Sequence, residues 1–196
     1  IFYKELSILQ RIKNNLKKSL YFIKKSLHLA KKNKLKSCEA NAYGNLAILN
    51  FLESNYYDAI KYHKKSLKLH ISLGDAKRSI PNLALMGINY LMLKNYELAN
   101  KYLNSALKKS CKLNYIEGQA DSFYNLAIYH LSKKNIENGI NSIKNAMKLY
   151  LHYKDFFKVI QCYKLLAEFY QKKGELKKYF YYNSISNNLK TKIAMR

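Results

Sequence analysis

Apolar residues recur along this chain in steps of three and four, the spacing that lays a stripe along one face of an α-helix. The stripes themselves repeat every 40 residues. Leu6, Leu46, Met86, Leu126 and Leu166 form one bulky column, followed at once by a small one of Ser7, Ala47, Gly87, Ala127 and Ala167. Three residues before the bulky column stand Tyr3, Tyr43, Leu83, Phe123 and Tyr163. A second bulky column runs Leu16, Tyr56, Tyr96, Ile136 and Leu176, and three residues on the side chains are small again: Ser19, Ala59, Ala99 and Gly139, with Tyr179 as the exception. Ser26, Ser66, Ala106, Ala146 and Ser186 make another small column, followed by Leu27, Leu67, Leu107, Met147 and Asn187. Large residues facing small ones at fixed intervals are what closely crossing helices need, because protein interiors pack to crystal-like density.

Each copy reads as two helices. In the second, Leu46, Asn50 and Glu53 carry a first helix to a break at Ser54-Asn55, and Tyr56, Ala59, His63, Ser66, Leu67 and Leu69 carry another. Asparagine recurs at the break as Asn15, Asn55, Asn95 and Asn135, with Glu175 in the last copy. Asparagine tolerates the left-handed backbone that ends a helix, so these residues are expected to adopt it. The second break is clearest at Leu73-Gly74-Asp75, with Gly74 suited to a left-handed position, Ser79 to capping the next helix and Pro81 to its first turn. Residues 112–115 and 153–155 occupy equivalent places without glycine. One proline and six glycines in 196 residues agree with an all-α chain, since hairpin-rich folds need more of both.

These columns resemble the tetratricopeptide repeat, whose pattern runs W-x2-L-G-x2-Y, then A-x3-F, then a late proline. The third copy matches best, with Leu83, Met86, Gly87 and Tyr90, then Tyr96, Ala99, Ala106 and Leu107. The resemblance covers essentially the whole chain, and its spacing is six residues longer than the usual 34, as in the long-repeat subgroup of Leu-Gly-Asn-type adaptors, kinesin light chains and bacterial peptide sensors. Those six residues are expected between the second helix of one unit and the first of the next, absorbed by longer helices. The resemblance implies an all-α, right-handed α-solenoid of about five antiparallel helix-turn-helix repeats. They fall at about 1–38, 39–78, 79–118, 119–158 and 159–196, as a single array, with residues 185–196 acting as a C-terminal cap.

In such arrays the first helix of each pair lines a concave groove. Carried over to this sequence, the resemblance places Asn41, Asn45, Ile48, Phe51, Ile88, Leu91, Asp121, Tyr124, Asn125 and Ile128 in a peptide-binding groove. A side-chain amide can donate to a peptide carbonyl and accept from its N–H at once, so Asn45 and Asn125 suit a ligand backbone. Ile48, Ile88 and Ile128 form an uncovered ladder for apolar ligand side chains. The competing assignment is that the asparagines satisfy neighbouring helix ends and the isoleucines close a narrow superhelix. The basic clamp of chaperone-binding relatives is not evident, since Lys4 and Lys164 lie at opposite ends and Gly44 and Ala84 fill the equivalent inner places.

Charge changes the picture of the partner more than of the fold. Thirty-six basic residues against 12 acidic ones give a formal net charge of +24. All but Arg11, Arg78 and Arg196 are lysines, and with Asn, Ile and Tyr they share A/T-rich codons, which reads as lysine decorating solvated helix faces. The same surface suits an acidic partner, and it makes nucleic acid the alternative ligand.

No phosphate-binding glycine loop and no nucleophile elbow occurs. His63 and His70 could share a helix face but lack the third ligand a metal needs, and no cofactor or small-molecule substrate is implied. Cys38, Cys111 and Cys162 are widely spaced and read as buried or half-buried thiols of a reducing, cytoplasmic compartment. No apolar run is long enough to span a membrane, and the opening ten residues do not read as a signal peptide. The run from Tyr179 to Tyr182 reads as a terminal hydrophobic face. The expectation is a non-enzymatic scaffold that holds an acidic, apolar-anchored peptide or helical segment, or the peptide-sensing half of a larger regulator.

Overall fold

The computed structural model describes residues 15–194. Nine helices stand among the described residues, with no strand: α1 (Leu16–Lys32), α2 (Lys36–Leu52), α3 (Tyr56–Ser72), α4 (Ala76–Met92), α5 (Tyr96–Lys112), α6 (Ile116–Ser132), α7 (Ile136–His152), α8 (Phe156–Lys172) and α9 (Leu176–Ala194). Tyr3, Leu6 and Ser7, with the first half of the first repeat, lie outside the described residues, as does Lys4. Helices α1 to α8 are 17 residues each, α9 is 19, and the starts fall every 20 residues. The 40-residue period is therefore two near-identical halves. The extra length expected at one junction is not there, because both connections in a repeat are three residues long.

Each connection is built the same way. The last carbonyls of α2 are taken up by Ser54 N–H to Phe51 O at 3.0 Å and Asn55 N–H to Asn50 O at 2.8 Å, the paired bonds of a Schellman ending. The long bond recurs as Leu35 to Ala30, Asp75 to His70, Asn95 to Tyr90, Tyr115 to Ser110, Asn135 to His130, Asp155 to Tyr150 and Glu175 to Tyr170. The left-handed residue is the one before the residue that makes that bond: Lys34, Ser54, Gly74, Lys94, Asn114, Lys134, Lys154 and Gly174 all have positive φ. Gly74 meets expectation, but the asparagine assignment does not. Asn15, Asn95 and Asn135 instead sit at N-caps and accept from the backbone N–H of Lys18, Leu98 and Asn138. Asn55 has the same place without a side-chain cap bond. Asn95 and Asn135 thus end one helix with the N–H and start the next with the side chain.

Ser79 and Pro81 also differ from expectation. Asp75 caps α4 by accepting from Arg78 N–H at 3.1 Å. Ser79 is inside the helix, fully buried, donating to Ala76 O at 2.6 Å. Pro81 stands in the second turn.

The helices fall into two compact units, Ile1–Tyr102 and Leu103–Arg196. In the first, Ile23, Tyr43, Leu46 and Leu49 form a core that Leu20, Leu27, Tyr62 and Leu69 complete. In the second, Ile143, Ala146, Tyr150, Leu166 and Phe169 are at its centre. The small columns are interior: Ala47, Ala59, Ala99, Ala106, Ala127, Ala146 and Ser186 are all fully buried. At Gly139 a methyl group would run into the Phe169 ring, so only glycine leaves the ring its place.

The repeat also shows in geometry. Tyr43 and Tyr62 stack at 6.2 Å and 19°, and three periods on Tyr163 and Tyr182 stack at 6.1 Å and 22°. Tyr90 and Tyr102 stack at 5.4 Å and 8°, and two periods on Tyr170 and Tyr182 do so at 5.3 Å and 12°. The aromatic run of α9 is divided: Tyr182 packs inward, whereas Phe180 and Tyr181 face outward together with Leu176 and Ile193. Within the expected C-terminal cap, Asn187, Asn188, Lys190, Thr191 and Lys192 are exposed.

Candidate functional site

The predicted groove residues all lie on the first helices of their pairs, α2, α4 and α6, and the two units present them separately. In the first unit Asn41, Asn45 and Ile48 run along α2 at helical spacing and are half-buried. Phe51 continues the line and packs against Tyr56, ring centroids 5.7 Å apart. Ile88 and Leu91 on α4 are buried, at 8% and 4% exposure, so two members of the apolar lining serve the core rather than an open ladder. The reason is local: Met86, Gly87, Ile88 and Asn89 of α4 are buried together.

In the second unit Asp121, Tyr124, Asn125 and Ile128 lie along α6, half-buried. Ile128 also leans on the core of that unit. Asp121 is already engaged. It accepts the Tyr150 hydroxyl at 2.6 Å and Lys158 Nζ at 3.3 Å. Lys158 stands over the rings of Tyr124 at 5.9 Å and Tyr150 at 5.8 Å. Burial, reinforced by the Asp121 charge and its hydrogen bond, pushes the Tyr150 hydroxyl far above its ordinary range, and burial lifts Tyr124 to about 12. Both remain neutral donors at any physiological pH. Sequence reasoning missed Lys158 and Tyr150, because neither falls in a recurring column: the place of Lys158 is held by Cys38, Arg78 and Gly118 in the other copies.

The amides differ in their commitments. Asn50, Asn82 and Asn89 donate to backbone carbonyls one turn back, at 2.8, 3.1 and 2.7 Å. The side chains of Asn45 and Asn125 make no hydrogen bond among the described residues. Among the described residues neither side chain bonds a neighbouring helix end.

His63 and His70 are buried side chains of α3, with His63 bonded to Asn82. Among the described residues no group of three or more His, Cys, Asp or Glu is placed to hold a metal. Cys162 is buried, and burial, against the pull of Lys158, raises its thiol to about 12. Cys38 and Cys111 are exposed, contrary to the buried or half-buried reading, because they sit on outward helix faces. No helix among the described residues is long and apolar enough to cross a membrane.

A family model described as Tetratricopeptide repeat matches residues 38–111. That stretch of the chain is similar to tetratricopeptide repeats. Solved structures show the same helical-repeat fold across almost its whole length. A Rap protein complexed with Competence and Sporulation Factor superposes with a TM-score of 0.87 at 16% identity, covering 96% of this chain and 53% of that one. The Rap conjugation gene regulator of the plasmid pLS20, in complex with the Phr* peptide, gives 0.85 at 16% identity, with 98% and 53% covered. BtubC (BKLC) from P. vanneervenii gives 0.76 at 15% identity, with 98% and 80% covered. The chain spans about half the length of the two Rap structures. No curated protein sequence matches it. Its fold class is the all-α solenoid of these neighbours.

Proposed function

We propose that this chain is a protein-interaction scaffold that receives a peptide or helical segment of a partner on the faces of its first helices and performs no chemistry itself. The observation that carries this reading is the pair of half-buried, uncommitted amides Asn45 and Asn125. An unused donor and acceptor on a groove-facing helix can hold an extended ligand backbone without reading its sequence. Ile48, Phe51 and Ile128 beside them supply partly exposed apolar surface for ligand side chains. Two of the structural neighbours carry the names of bound ligands, one of them a peptide, which agrees with a peptide as the class of guest. The net charge of +24 favours an acidic one. Asp121, beside Tyr124 and Asn125, is ion-paired with Lys158.

The test is selection of binders from a random peptide library on the full chain, followed by the variants Asn45→Ala with Asn125→Ala, and Ile48→Lys. Selected peptides are expected to lose at least tenfold in affinity to each variant while the helical signal is unchanged. Binders indifferent to both would remove the proposal.

A further inference from the structure

A cleft of about 420 Å³ opens on the other side of α2, walled by α1 and α3. It lies wholly within the first unit and shares no residue with the faces described above. Leu20 and Leu27 of α1 and Leu46 and Leu49 of α2 give it an apolar floor. At one end, Lys31 and Lys65 hold their ammonium groups 5.7 and 5.3 Å from the centroid of a single ring, that of Tyr43. Tyr62 stacks on that ring, and Lys65 also covers it at 5.6 Å. Lys24 lines the wall between, and Glu53 closes the far end.

Two features make this more than a gap between helices. Among the described residues Lys24, Lys31 and Lys65 have no ion pair, although two of them gather about one ring, where like charges repel each other. Glu53 is the one acidic residue of the lining against Lys24, Lys31 and Lys65; α1 has six lysines and no acidic residue, and α3 has four against Asp58 alone. The volume falls within the range of small-molecule sites, which pair an apolar lining with a few placed polar groups. Along α1 the cleft runs from Leu20 to Lys31, roughly 16 Å at 1.5 Å per residue, so it is elongated.

We propose that this cleft binds a small amphiphile with an anionic carboxylate head and an aliphatic body, the head between Lys31 and Lys65 and the body along Leu27, Leu46 and Leu20. An anion there neutralises two cations, and the chain covers the partly exposed side chains of Leu20 and Leu27. The inference stands apart from the peptide reading, since it uses other residues and the opposite face of α2.

The experiment is a calorimetric titration of the full chain with dodecanoate below its micelle concentration. One-to-one binding is expected, weakened at least tenfold by Lys31→Gln with Lys65→Gln and untouched by Lys108→Gln with Lys109→Gln. Leu27→Gln is expected to weaken it several-fold. Dodecanol, which has no charge, and hexaglutamate, which has no aliphatic body, are expected to bind at least tenfold more weakly than dodecanoate. Equal losses in the two lysine pairs, or equal binding of dodecanol or hexaglutamate, would overturn the proposal, as would no binding of dodecanoate.

Discussion

His63 Nδ1 lies 3.1 Å from Asn82 Oδ1, a buried hydrogen bond that ties α3 to α4. The Asn82 amide nitrogen donates to Arg78 O, which leaves its oxygen to accept, so the imidazole proton is on Nδ1. Nε2 is then a buried lone pair with no partner. Burial, only partly offset by the Asn82 bond, lowers the His63 pKa from 6.5 to about 4. An unfolded chain takes up a proton near pH 6.5 that the folded one refuses until about pH 4. The stability tied to His63 is fully present above about 6.5, falls between 6.5 and 4, and is flat below. Its size is on the order of 3 kcal/mol. His70 and His130 are shifted the same way by burial and add to the trend. Urea midpoints at pH 7 and 4.5 measure it, and His63→Gln should shrink the difference. A midpoint that does not move with pH would contradict the buried neutral ring.

The Tyr150 hydroxyl and Lys158 share one oxygen of Asp121. Tyr150→Phe removes the shorter bond without opening a cavity and is expected to cost about 1.5–3 kcal/mol, the range for a hydrogen bond to a charged acceptor. Because the two donors meet on one atom, a double-mutant cycle with Lys158→Met should show coupling of at least about 0.5 kcal/mol. Additive losses in chemical denaturation would mean that the network does not act as a unit.

Gly139→Ala places a methyl group against the Phe169 ring. The ring is fully buried, so it has little room to move. A loss of about 1–3 kcal/mol is expected from overpacking. Phe169→Leu costs stability alone but should recover part of the loss when combined with Gly139→Ala, which thermal unfolding of the four proteins would reveal.

Lys94 and Lys134 hold positive φ at places that Gly74 and Gly174 occupy in other turns. Left-handed backbone is strained for a residue with a Cβ and free for glycine. Lys94→Gly is therefore expected to stabilise the chain by about 0.5–1 kcal/mol, against the usual effect of glycine, and Gly74→Ala to destabilise it by a similar amount. Calorimetric melting temperatures would show the opposite signs.

Asn45→Ala and Asn125→Ala should leave stability within about 0.5 kcal/mol of the parent, because neither side chain holds the fold together by a hydrogen bond. A large loss in urea denaturation would assign them to the structure instead of to a ligand.

The repeat was legible because helix packing writes a periodic signal: Ala47 and Ala127 had to be small and Leu46 and Leu126 large wherever the same contact recurs. Turn details were less legible. Backbone geometry set by the Schellman bonds admits Lys34, Ser54 and Asn114 as well as Gly74, so the left-handed residue shows no fixed identity, and the asparagine beside it took the capping role. Of the candidate site, Asn45, Asn125 and Ile48 are half-buried, while Ile88 and Leu91 are buried. Periodicity says which residues share a helix face. It does not say how deeply a neighbouring helix covers that face.

By itself, then, the sequence determined the all-α class, the 40-residue period and the small-against-large packing, since these follow from local spacing and side-chain volume. Only the tertiary structure decided that Asp121 is bound to Tyr150 and Lys158, that His63 is a neutral buried donor, and that Lys31 and Lys65 converge on Tyr43. Each of these joins residues from different helices, and their distances depend on how those helices dock, which no spacing along one strand of chain encodes.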